Sequence, residues 1–428
     1  MINRPCAAML GIGTAVPPYR IDQGEAARRL ADALGEKTET ARWAKKIFAS
    51  CGVETRYTCE PDLSESAGLS RYLPKTPVED VPRTRERMEK FRNASVPLGL
   101  EAARKALAES GVGGPDITHL ITVSCTGLFL PGMDVSLIRE LGLNADINRI
   151  PLNFLGCAAG LTAIRLSSQI VEGNPSAKVL IVCVELCTLH IQPSGGREAL
   201  YAAAFFGDGA AACVVGAHEP GRQGVFALGA SRAVLFPDSA HEMVWDVGDF
   251  GFDLYLSPRI PELIGKFVPA EIARLWGGEA LPGLWAIHPG GKGIVDALQK
   301  RFGLTDGQTR ASRSILRRYG NLSSATILFV LDEIRKEHRE LLHDEDGPNE
   351  GLAVAFGPGL SAELMEIALI PSAAERPPAS ERPSVARRLP DEDAALRDAV
   401  FQGVALRDIA HRDIAHRDIA HRDIAHRD

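Results

Sequence analysis

Three residues of this 428-residue chain have side chains and surroundings suited to covalent chemistry. Cys157 stands in "NFLGCAAGLTAIRLSSQIV", where an apolar stretch meets a glycine and then turns amphipathic. The small residues Gly156, Ala158, Ala159 and Gly160 let the backbone turn tightly from strand to helix, which places the thiol at a helix N-terminus. Unpaired amides and the helix dipole there favour the nucleophilic thiolate. The same position also suits a small buried hydrophobe, which is what most free cysteines are. His288, in "GLWAIHPGGKGIVDAL", ends an apolar strand before glycines that open a helix, as a proton carrier or as a satisfied core histidine. Asn321, in "RRYGNLSSATILFVLDEI", follows a glycine at a helix start, where its amide can polarise a substrate or simply cap the helix. Three reactive-type residues at three such turns argue for a common site.

The elements that must hold these turns are legible as alternating short apolar runs and amphipathic stretches from about Cys6 to Ile370, the pattern of stacked strands and helices. Strands are expected at "HLITVSCT", "RIPLNFLG", "KVLIVCVEL", "AAACVVGA", "VFALGAS", "GLWAIH" and "GLAVAFG". Helices are expected at "QGEAARRLADALG", "SVPLGLEAARKALAESG", "AGLTAIRLSSQIVEG" and "GIVDALQKRFG", several of them ending at glycine. Two halves, 1–220 and 221–372, are expected to meet at the turn-rich "GAHEPGRQG", with Cys157 in the first and His288 and Asn321 in the second.

Apolar residues make up 45% and charged residues 24% of the chain, the balance of a globular protein with sizeable cores. A net charge of -7 gives no basic footprint for nucleic acid. No apolar run reaches the roughly 18 to 20 residues a membrane span needs, and the N-terminus lacks a signal-peptide pattern, so a cytoplasmic location is the expectation. The eight cysteines are scattered, mostly in apolar runs, and read as buried thiols. Cys183 and Cys187 have no second Cys/His pair at zinc spacing, so no metal site is expected.

Residues 373–428 change character, first to a Pro-, Ala- and Arg-rich linker and then to a repeated "RDIAH". A five-residue step turns about 140° on a helix, so neither the Ile nor the His column stays on one face. The repeat does set Asp408 and Arg412, and each later Asp/Arg pair, four apart, worth ~0.3 kcal/mol apiece to a solvated helix. A solvated helix is therefore preferred over metal binding by His411, His416, His421 and His426.

Taken together, "LGCAAGL", "FFGDGAAACVVG", "WAIHPGGKGI", "YGNLSSAT" and "AFGPGLSAE" resemble the type III polyketide synthases, the chalcone synthase-like branch of the thiolase superfamily, over about residues 1–370. The resemblance implies an α/β fold of five layers, αβαβα, with duplicated halves, a homodimer, and a Cys157–His288–Asn321 triad. It implies malonyl-CoA and acyl-CoA as substrates and no bound cofactor. In that chemistry Cys157 holds the starter acyl group, His288 sustains the thiolate by ion pairing, and His288 and Asn321 donate hydrogen bonds to thioester and enolate oxygens.

Further positions follow from the resemblance. Phe206 is similar to a phenylalanine between entry tunnel and cavity, and Leu254 stands where the family has a second gate phenylalanine. Gly357 and Gly359 resemble a loop that shapes the cavity wall. Cys125 and Thr126, Cys187 and His190 replace small hydroxyl residues of plant members, and Trp245 replaces a glycine. Lys45 and Lys46 resemble basic residues that meet CoA phosphates at the tunnel mouth, a place where a solvated helix face is also expected. These departures look more like bacterial members, and they imply an acyl-derived α-pyrone or resorcinol. A naphthalene built from malonyl-CoA alone is the alternative product. A ketoacyl synthase of the third type, dependent on acyl carrier protein, is the nearest rival enzyme. A thiolase, a cysteine protease and a non-catalytic relative are the remoter ones.

Overall fold

The computed structural model describes residues 7–65, 69–73, 80–192, 196–218, 225–277, 280–341 and 350–370. The repeat tail with its four histidines, Cys6, and residues 219–224 of the turn-rich junction lie outside them. The first part of the chain forms β1 (Ala7–Ala15), β2 (Tyr19–Asp22), α1 (Gln23–Ala33), α2 (Glu39–Ser50), β3 (Thr55–Thr58), α3 (Thr84–Ser110) and β4 (His119–Ser124). It continues through α4 (Met133–Leu141), β5 (Asn148–Asn153), α5 (Ala159–Gly173), β6 (Val179–Leu186), α6 (Arg197–Phe205) and β7 (Asp208–Ala217). Then come β8 (Phe226–Leu235), β9 (Met243–Gly248), β10 (Gly251–Leu256), α7 (Ile260–Trp276), β11 (Leu284–Ile287) and α8 (Lys292–Phe302). The last elements are α9 (Asp306–Tyr319), α10 (Thr326–Leu341), β12 (Glu350–Gly357) and β13 (Ser361–Leu369).

Nine strands hydrogen-bond in the order β11-β12-β13-β8-β1-β7-β6-β4-β5. The two arms of this array repeat one plan. Pairs β1–β7 and β7–β6 are antiparallel and β6–β4 is parallel, just as β8–β13 and β13–β12 are antiparallel and β12–β11 is parallel. The arms join only where Ala8 pairs with Ala227 and Met9 with Phe226. Each arm therefore acts as one sheet of a duplicated fold.

The alternation of side chains sorts each sheet into two faces. On β6, Val179, Ile181 and Cys183 enter the central core, while Leu180, Val182, Val184 and Leu186 enter an outer core with α3 and α4. On β12, Ala353 and Ala355 face the centre, and Leu352, Val354 and Phe356 face α7 and α8. The central core contains α5 and α10, both of which touch strands from the two arms. The stack is the five-layer αβαβα arrangement: outer helices, sheet, central helices, sheet, outer helices. The described residues form one compact unit.

Two elements differ from the sequence reading. Helix α3 begins at Thr84, well before the expected start near Ser95, and carries Pro97 inside it. At its N-terminus the Glu86 carboxylate accepts from the Arg83 backbone amide at 3.3 Å. Strand β13, "SAELMEIAL", is built of good helix formers but is clamped between β12 and β8, so tertiary pairing overrides local preference.

Candidate active site

The local turns behave as their sequences demand. Gly156 has φ +70 and its missing Cβ leaves room for Pro358, since an added Cβ would fall 2.1 Å from that ring. That close approach brings the β12–β13 turn of the second arm against the Cys157 turn of the first. Residues Gly156–Ala158 form one 3₁₀ turn that runs directly into α5, so Cys157 does stand at a helix start. Gly160 lets α5 approach the other half, because a Cβ there would lie 2.2 Å from the Ser324 carbonyl. Arg165 on α5 is anchored to Glu363 of β13 by hydrogen bonds of 2.8 and 2.9 Å.

The three residues read from the sequence line one cavity of about 390 Å³. Asn321 is oriented unambiguously. Its Oδ1 accepts from the Ser323 amide at 2.8 Å and the Thr326 hydroxyl at 3.3 Å, so its Nδ2 donors face Gly290 O at 3.2 Å and the Cys157 sulfur at 3.8 Å. Oδ1 thus ties down the turn before α10 while Nδ2 remains a donor, and the Cys157 sulfur lies within 4.0 Å of both ends of the amide. Its backbone also pairs with the Phe205–Gly207 segment, in bonds from Asn321 N to Phe205 O and from Gly207 N to Asn321 O. His288 is held by its main chain, N–H to Val354 O at 2.8 Å, while both ring nitrogens are buried without a partner among the described residues. Such an imidazole is costly unless a ligand completes it.

Burial works against the expected ion pair. Desolvation raises the Cys157 thiol to about 11 and lowers His288 to about 3, so at neutral pH both are uncharged. Hydrogen bonds from Ser323 and Asn321 favour the thiolate but are the smaller effects.

The other expected positions divide. Phe206, Cys125, Trp245 and Leu254 line the cavity, with Trp245 and Leu254 facing each other across the β9–β10 hairpin. Thr126, Cys187 and His190 are buried outside the lining and are not wall residues as expected. The Thr126 hydroxyl donates to Glu185 at 2.7 Å, and its carbonyl contacts His190 Nε2 at 2.7 Å. His190 Nδ1 accepts from the Phe252 amide at 3.0 Å, so the ring is a neutral donor at Nε2, and it stacks on Phe252 with centroids 4.2 Å apart. It braces the hairpin rather than touching the cavity. Gly357 and Gly359 likewise stand behind the wall, which Phe356 and Pro358 form. Lys46 lies over the Trp43 ring at 5.3 Å, and Trp43 lines a groove with Arg197. Arg197 lines both groove and cavity. Lys45 is exposed on the same helix, outside both linings.

Sequence reasoning missed Glu185, whose fully buried carboxylate organises the site from behind. It accepts from the Cys125 amide at 3.1 Å, from the Thr126 hydroxyl and from the Ser324 hydroxyl, joining the β4 turn to the Asn321 loop. Burial raises its pKa, and these donors oppose that rise. The signal was available as one acid inside the apolar strand "VLIVCVEL". Ser323 was missed too; its hydroxyl lies 2.9 Å from the Cys125 sulfur, and its φ of 47 marks a strained loop. Among the described residues no cluster of His, Cys, Asp and Glu could hold a metal, and no helix is long and apolar enough to cross a membrane.

Comparison with known proteins assigns this arrangement. The family described as "Chalcone and stilbene synthases, N-terminal domain" matches residues 1–220, and the C-terminal domain of the same family matches 228–371. The chain is 33% identical over 372 residues to bisdemethoxycurcumin synthase of Oryza sativa subsp. japonica, covering 84% of this chain and 91% of that one. It is 30% identical over 365 residues to "Probable polyketide synthase 1" of Dictyostelium discoideum, 83% of this chain but only 11% of that much longer protein. Among solved structures, the C-terminal type III polyketide synthase domain of Steely1 from Dictyostelium superposes with TM-score 0.76 at 29% identity, covering 85% of this chain and 99% of that one. PKS-I of the brown alga Ectocarpus siliculosus gives 0.78 at 28% identity, covering 85% and 98%. With both family domains matched along most of its length, this chain belongs to the chalcone and stilbene synthases, the type III polyketide synthases.

Proposed function

We propose that the chain loads an acyl group from an acyl-CoA onto Cys157, extends it with malonyl-CoA units, and releases it by cyclisation as an α-pyrone or resorcinol. The observation that carries this reading is the His288 ring, buried and unpartnered in the same cavity as Cys157 and the oriented Asn321 amide. His288, neutral at rest, takes the Cys157 proton as sulfur attacks the thioester carbon, and passes it to the departing CoA sulfur. It is then neutral again, and its N–H and the Asn321 Nδ2–H donate to the oxygen of malonyl-CoA as carbon dioxide leaves. The enolate carbon attacks the acyl carbon, the new carbon–carbon bond forms, and the carbon–sulfur bond to Cys157 breaks, leaving a Cys157 thiolate that attacks the new β-ketoacyl-CoA, returns the extended chain to the enzyme and releases CoA for the next round.

An acyl starter is supported by the apolar wall beyond the triad, which includes Leu254, Leu256, Ile260 and Ile294. Binding of the CoA end is supported by Arg197 and Lys46 around Trp43 at the mouth. A homodimer is supported by the edge position of β5 and by exposed Leu128, Leu130, Phe154 and Leu155 beside it. With soluble CoA thioesters as substrates, the cytoplasm is the proposed location.

The test is mass spectrometry of products from purified protein given malonyl-CoA alone, then with acetyl to palmitoyl and aromatic starters, with Cys157→Ala as control. Cys157-dependent pyrones or resorcinols from acyl starters are expected. Products from malonyl-CoA alone would move the assignment to a naphthalene-type synthase.

A further inference from the structure

Behind Asn321 lies a buried cation that the chemistry above does not use. Arg56 stands on β3, is only 2% exposed and does not line the cavity. Among the described residues its hydrogen bonds go to neutral acceptors: Nε donates to Gln23 Oε1 at 3.1 Å and Nη1 to the Phe206 carbonyl at 2.7 Å. Burial lowers its pKa to about 10, still far above neutrality, so the guanidinium stays charged. A charge kept out of water at such cost makes a stiff, well-defined donor. The carbonyl it grips belongs to the segment that fixes Asn321. Asn321 N donates to Phe205 O at 2.8 Å, Gly207 N donates to Asn321 O at 3.1 Å, and Phe206 and Asn321 form a parallel bridge. The junction has no slack, since a Cβ on Gly320 would fall 2.5 Å from Phe205 O and one on Gly207 2.4 Å from Tyr319 O. Gln23, the partner of Arg56, donates to Ala204 O at 2.8 Å in the same segment. The next residue of β3 grips the other side, where the Thr55 hydroxyl donates to Arg318 O at 2.8 Å, near the end of α9.

We propose that Arg56 is a positioning residue for chain extension: by holding the Phe206 carbonyl it fixes the main chain of Asn321, and with it the place of the Nδ2 donor, without touching substrate. The inference rests on the reading above, in which Asn321 polarises the malonyl-CoA oxygen. The other two members of the triad are held by different elements, Cys157 by the turn into α5 and His288 by Val354 O. Loading of Cys157 needs His288 as the base, whereas extension also needs the Asn321 amide. Arg56 therefore bears on the second step and not on the first. A donor moved by a fraction of an ångström loses much of its effect on a developing oxyanion.

The test uses Arg56→Lys, which offers a cation without the planar fork that reaches Gln23 and Phe206 together. Two single-turnover rates are measured in wild type and variant: acyl transfer from an acyl-CoA to Cys157, by intact-protein mass spectrometry, and carbon dioxide release when malonyl-CoA meets the loaded enzyme. Loading is expected to stay within about two-fold of wild type and extension to fall roughly ten-fold or more. Equal losses in both rates would show a merely structural role and overturn the proposal, as would extension at the wild-type rate. Should Arg56→Lys fail to fold, the near-isosteric Thr55→Val loosens the same grip from the other side. Its extension rate is expected to fall roughly two- to five-fold at unchanged loading, and an unchanged ratio of the two rates would contradict the proposal. A wild type that neither loads nor extends would overturn the acyl-cysteine reading itself, and this inference with it.

Discussion

Desolvation favours the neutral Cys157 thiol and the neutral His288 imidazole, and that preference can be measured at single residues. With Cys157 raised to about 11, its alkylation by iodoacetamide is expected to climb steadily with pH from 6 to 9. A plateau beginning near pH 6 would indicate a standing thiolate–imidazolium pair instead. His288 is lowered from 6.5 to about 3 by burial, so the unfolded state binds more protons between those values. Its titration costs no stability above about pH 6.5, and the penalty grows as the pH falls toward 3. Melting temperatures of His288→Gln and wild type should therefore converge, or cross in the variant's favour, as the pH drops through that window. Taking the variant difference removes the opposite trend from Asp208, whose carboxyl burial raises to about 6. Asn321→Ala should lower the extension rate by about 10²–10³-fold through the lost donor, and cost stability on the order of 1 kcal/mol through the lost bonds from the Ser323 amide and Thr326 hydroxyl. Steady-state kinetics and thermal unfolding separate the two effects.

At the scale of elements, the site depends on how closely α5 and the Asn321 loop approach. Gly160→Ala would drive a Cβ into the Ser324 carbonyl, so a loss of about 1–3 kcal/mol is expected, with a fall in kcat as Asn321 moves relative to Cys157. Thermal unfolding and kinetics of that variant check both. The strand-turn-helix units carrying Cys157 and His288 were legible because apolar runs, small residues and helix periodicity agreed there. What local sequence concealed were features created by tertiary contact. Strand β13 is made of helix formers and exists only because two neighbours pair with it. The β9–β10 hairpin carries weak alternation, yet it supplies Trp245 and Leu254 to the cavity. Thr126, Cys187 and His190 lie close to the site along the chain, but the strand pleat and the turn after β6 send them behind the wall. Spacing could not distinguish a wall residue from the residue that supports it.

Across the whole molecule, duplication explains why chemistry sits at the centre. Two similarly paired sheets sandwich α5 and α10; the turns before those helices carry Cys157 and Asn321, and the end of β11 brings His288 to the same cavity. Neither arm holds a complete site. The free edge at β5, flanked by Leu130 at 87% exposure, predicts association of two copies. Sedimentation should give a dimer, and Leu130→Glu should shift it toward monomer; a monomeric wild type would contradict that assignment.

The most direct test of the central claim is to add an acyl-CoA to the purified protein, locate the adduct by peptide mass spectrometry, and then add malonyl-CoA without any carrier protein. The account predicts an acyl group on Cys157 that gains ketide units as carbon dioxide is released. No adduct, an adduct on another residue, or extension that requires an acyl carrier protein would contradict it.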